Sequence, residues 1–79
     1  MEKLFLPNNY FEMEELSRQI MAYTTMDNIK DVVQDSIDIR SKDFVYNVIK
    51  TRINQFEEME EYEQADFLNH CIKYIDNNF

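Results

Sequence analysis

The stretch SKDFVYNVIKTRINQFEEME, residues 41–60, decides the fold. Phe44, Val45, Val48, Ile49, Ile53, Phe56 and Met59 recur at steps that place them along one side of an α-helix. Ser41 stands just ahead of the run, where an N-cap belongs, so the spacing predicts a helix over 42–60. Downstream, Ala65, Phe67, Leu68, Cys71, Ile72, Tyr74 and Ile75 repeat the pattern and predict a second helix over 63–77. Its other side is polar: Glu63, Asp66, Asn69, His70, Lys73 and Asp76. The connection between the two is short, which predicts an antiparallel hairpin.

Upstream, Ile29, Val32, Val33 and Ile37 predict a helix over 26–39 capped by Thr25. Met13, Leu16, Ile20 and Tyr23, flanked by Tyr10 and Met21, predict one over 10–24 with Asn9 as its cap. A single helix from 10 to 39 is the alternative. Residues 1–9 form an apolar arm closed by Pro7 and two asparagines. No linker divides the chain. The expected architecture is one all-α domain over residues 1–79, a compact bundle of three or four short antiparallel helices.

The chain has no glycine and one proline, which removes phosphate-cradling glycine loops and disfavours tight β-hairpins. Cys71 is the only cysteine, so no internal disulfide can staple the fold. No apolar run approaches a membrane span, and no signal segment is visible, so a cytoplasmic setting is expected. The net charge is −8, which disfavours direct nucleic-acid binding and an anionic membrane surface and favours a protein partner with a basic surface. The charge is uneven. Residues 39–53 carry Arg40, Lys42, Lys50 and Arg52 against Asp43 alone, while residues 54–79 carry seven acids and one base. Four basic residues in so acidic a chain give poor counterion release, so a DNA-binding module is the weakest reading.

Ile53, Phe56, the step Tyr62-Glu63-x-Ala65, then Leu68 and Ile72 resemble the UVR motif. That motif is the helical hairpin of bacterial excision-nuclease subunits and of some kinase and protease adaptors. The resemblance covers residues 53–75, under a third of the chain, with Asn69-His70 where the family usually has Arg-Asp. It implies a hairpin that docks proteins.

Several groups are candidate site residues. Asp27, Asp31, Asp35 and Asp38 recur at helical spacing and predict an acidic row, either a solvated face or a surface for a basic groove. Glu57, Glu58, Glu60, Glu61 and Glu63 crowd the turn of the hairpin. Without a glycine-centred loop to converge their oxygens, they predict an acidic tip and no metal site. His70 is expected on the surface near Asp66, with Cys71 turned about 100° away into the core, so no nucleophile–base pair is expected. Arg52 falls inside an apolar stripe, where its stem packs or where the stripe is an interface. Phe5, Phe11 and Phe79 lie off the main stripes, either folded back on the hairpin or meeting a partner. The expected function is that of a non-catalytic, cofactor-free protein-interaction module: a regulator, adaptor or inhibitor subunit able to form a homodimer. The alternative is a phage-type mimic of nucleic acid that occupies an enzyme's basic groove.

Overall fold

The computed structural model describes residues 4–79. Over these residues the chain is all-α: a 3-10 turn at Tyr10–Glu12, then α1 (Glu15–Asn28), α2 (Lys30–Ile39), α3 (Lys42–Glu58) and α4 (Tyr62–Asn78). Ser41 caps α3, its hydroxyl accepting from the Phe44 N–H at 3.1 Å. The other end of α3 closes on Glu60, which takes a left-handed φ of 60°. The Glu61 N–H reaches back to the Phe56 carbonyl at 2.8 Å and the Glu60 N–H to Glu57 at 3.0 Å. Together these form a Schellman stop, built on glutamate where glycine is usual.

The N-terminal half departs from the sequence expectation. Met13 and Glu14 are extended, so the first α-helix starts at Glu15, and Asn9 precedes only the 3-10 turn with no side-chain cap bond. That break lets the Tyr10 ring drop fully into the core. Thr25 neither breaks a helix nor caps one. Its hydroxyl bonds to the Met21 carbonyl at 2.9 Å, which satisfies it inside α1. The chain breaks instead at Ile29 (φ −114°, ψ 18°), a single residue between α1 and α2.

α4 is the organising helix, with α1 on one side and α3 on another. Three contacts fix the α3–α4 register. Lys42 Nζ donates to the Phe79 carbonyl, the Tyr46 hydroxyl to Ile72, and Ile53 and Phe56 cluster with Ala65. Their residue numbers fall as the partner's rise, so the pair is antiparallel. α1 runs the other way. Arg18 meets Asp66, and Tyr23 and Asp27 meet Tyr74, so α1 lies parallel to α4, a correction to the all-antiparallel expectation. The main core joins Tyr10, Ala22, Met26, Phe67, Cys71, Tyr74 and Ile75. Ala22 is buried while Leu16 and Ile20 are more than half exposed, so α1 is rotated from the face its large apolar residues suggest. No residue of α2 is buried; Val33 and Ile37 lean on the core, Gln34 is half-buried and the rest is exposed.

Candidate functional site

Asp66 is the hub of a polar cluster. Its carboxylate accepts from the Tyr10 hydroxyl at 2.8 Å and from Arg18 Nη1 at 3.1 Å, with His70 Nε2 3.5 Å away. The Arg18 guanidinium also lies over the rings of Tyr10 and Phe11. His70 is only 3% exposed, a correction to its expected surface position. Burial pulls its pKa below the usual 6.5, partly opposed by Asp66. Burial, then donation to Asp66, drives the Tyr10 pKa well up. His70 Nδ1 and Arg18 Nε find no hydrogen-bond partner among the described residues. Burial pushes the Cys71 thiol up to about 12. A sealed histidine beside a protonated thiol has neither access to substrate nor a thiolate to attack it.

The acidic row is divided. Asp27 belongs to α1 and accepts a hydrogen bond from the Tyr74 hydroxyl, a bond that with burial raises the Tyr74 pKa to about 12. Asp31, Asp35 and Asp38 share the solvent side of α2, Asp38 accepting from Gln34 at 3.0 Å. Around the hairpin turn, Glu57, Glu58 and Glu60 are exposed while Glu61 and Glu63 are half-buried. Among the described residues no group of three or more His, Cys, Asp or Glu is placed to hold a metal ion. None of their helices is long and apolar enough to cross a membrane.

The aromatic candidates divide too. Phe5 is wholly exposed, and Phe11 half exposed with its ring edge-on to Tyr10 at 5.4 Å. The arm around Phe5 folds back, because Gln64 holds Leu4 by two hydrogen bonds. Phe79 packs on Tyr74, with Lys30 Nζ 6.0 Å from its ring centre, and so belongs to the core edge.

An apolar surface lies open between α2 and α3. Ser36, Ile39 and Arg40 form one wall and Phe44, Val45, Val48 and Ile49 the other, around an open groove of about 410 Å³. It continues past Phe44 and Val48 into a second hollow of about 270 Å³ that Arg52 and Gln55 close. Ile39 is 80% exposed, Val32 65%, Val48 46% and Phe44 43%. Arg40 lies over the Phe44 ring at 4.5 Å. Of the candidates read from the sequence, the groove takes in Arg52 alone. Ile39, Phe44 and Val48 were missed as surface residues because periodicity marks an apolar side without saying whether anything covers it. Comparison of the chain with protein-family models, with curated proteins and with solved structures gives no match in any of the three.

Proposed function

We propose that this chain is a non-catalytic protein-interaction module whose docking face is the groove between α2 and α3. The observation that carries the reading is the run of uncovered apolar side chains, Val32, Ile39, Phe44 and Val48, along two adjoining helices. Contiguous apolar surface of this kind marks protein contact sites. The arginines at its ends, Arg40 and Arg52, supply the polar rim usual for such sites. The buried state of His70 and Cys71 supports a role without chemistry. The UVR-like hairpin of residues 53–75 is in keeping with docking, and α3, its first helix, carries one wall of the groove. A cytoplasmic regulator, adaptor or inhibitor subunit fits these features.

A second reading, the nucleic-acid mimic, has one observation in its favour: Asp31 and Asp35 are exposed and have no ion-pair partner among the described residues. Quantitative affinity capture separates the two. Under the docking reading, the partner held by the wild-type chain is lost from Val48→Glu and retained by a Glu57→Lys, Glu60→Lys double variant. Under the mimic reading that double variant loses it, because an extended negative field has been cut.

A further inference from the structure

We infer that the occupant of the α2–α3 groove is a second copy of this chain, seated about a two-fold axis. The inference rests on the reading of that groove as the docking face and names its partner. It starts from charge. Among the described residues no acidic side chain lines the groove, while Arg40 and Arg52 stand at its ends. Beside it, the solvent side of α2 carries Asp31, Asp35 and Asp38. The face is therefore half basic and half acidic. A two-fold rotation sets the acidic helix of one copy across the arginines of the other, and does so twice.

Dimensions agree. The ten residues of α2 are about 15 Å long, and Phe44 to Gln55 spans about 16 Å of α3. The Val32–Ile39 ridge, the most exposed apolar row on the helices, covers about 10 Å and so fits within the groove it would occupy. A standard interface takes about 800 Å² from each partner, here about one seventh of the 5475 Å² surface. Two helices side by side, each about 10 Å across and about 16 Å long, present a face of about 320 Å², so the contact is a small one and a weak, micromolar dimer is expected.

Sedimentation velocity from about 1 to about 300 µM tests this, in a range where a modest interface shows its equilibrium. The wild-type chain is expected to pass from monomer to dimer. Val48→Glu and Ile39→Glu should each raise the dissociation constant about a hundredfold, with circular dichroism unchanged because both side chains are exposed. A chain with Asp31→Lys and Asp35→Lys should be monomeric, as should one with Arg40→Glu and Arg52→Glu. Mixed, the two should form a heterodimer, because both cross-contacts become attractive. A wild-type chain that stays monomeric throughout overturns the inference, and so does a dimer that survives Val48→Glu, or a mixture that stays monomeric. In each of those cases loss of the captured partner by Val48→Glu keeps the docking reading alive. Retention of the partner by that variant sinks the docking reading as well.

Discussion

The side-chain amide of Gln64 and the main chain of Leu4 hold each other by two hydrogen bonds, Leu4 N–H to Oε1 at 2.8 Å and Nε2 to the Leu4 carbonyl at 2.7 Å. Gln64 thus imitates one residue of a β-ladder, and it is 94% buried in doing so, being 6% exposed. Gln64→Leu removes both bonds while keeping most of the volume. The expected cost is about 1–2 kcal/mol, read as a lower urea midpoint. Chymotrypsin cleavage near Leu4 and Phe5 should also quicken. Unchanged cleavage would show that the arm is held elsewhere.

Glu60 occupies the left-handed stop of α3 with a Cβ that glycine lacks. Glu60→Gly should stabilise the chain by about 0.5–1 kcal/mol, a rise of roughly 4 °C in Tm. Glu60→Gln removes the charge and keeps the Cβ. If it stabilises as much as glycine does, crowding of carboxylates is the cause and backbone strain is not.

His70 gives the fold a sensitivity to mild acid. Its folded pKa lies below 6.5, so below that pH the unfolded chain binds a proton that the folded chain resists. Stability is fully present above about pH 6.5 and falls as pH drops through that value. Burial sets the shift, and the charges of Asp66, Lys73, Arg18 and Glu15 adjust how far the pKa moves. Denaturation midpoints between pH 7.5 and pH 5 should decline in the wild type and decline less in His70→Gln. Parallel curves would refute the assignment.

Cys71 should be chemically quiet. It is 4% exposed and its thiol is pushed up to about 12, so alkylation at neutral pH has to wait for opening of the core. Iodoacetamide labelling should be slow in buffer and fast in denaturant. Rapid labelling of the folded chain would mean that α4 is far more open than its packing implies.

Partner binding through an apolar groove should tolerate salt. Raising salt from about 50 to about 300 mM should change the affinity less than about threefold, since only rim charges are screened. A steep, power-law loss would favour the nucleic-acid mimic.

The hairpin was legible in the sequence because its signals agree. The Ser41 cap, the periodic row through Ile53 and Phe56, and the inward Cys71 all appear where spacing puts them. The phase of α1 was not legible, because small Ala22 is fully buried while Leu16 and Ile20 face outward. Counting apolar side chains favours the large ones, and close helix packing favours the small one. His70 was read as a surface residue on polarity, and Gln64 was not singled out. Gln64 is paid for by its bonds to Leu4, and His70 lies beside Asp66 with its other nitrogen unpartnered, neither of which a single helix can reveal. The four-aspartate row failed at Ile29, where one non-helical residue separates Asp27 from the other three. As for the groove, its apolar residues were visible and its emptiness was not.

The single-residue joint at Ile29 has a dynamic consequence. α2 is tied to the body by Val33 and Ile37 and buries nothing outright. Its opening therefore costs less free energy than global unfolding, and its backbone amides should exchange with deuterium well before those of α4. Any molecule that covers Val32 and Ile39 must first hold this helix closed. Occupancy of the groove would then register as slowed exchange concentrated in ten residues, even if no atom of the remaining fold moved.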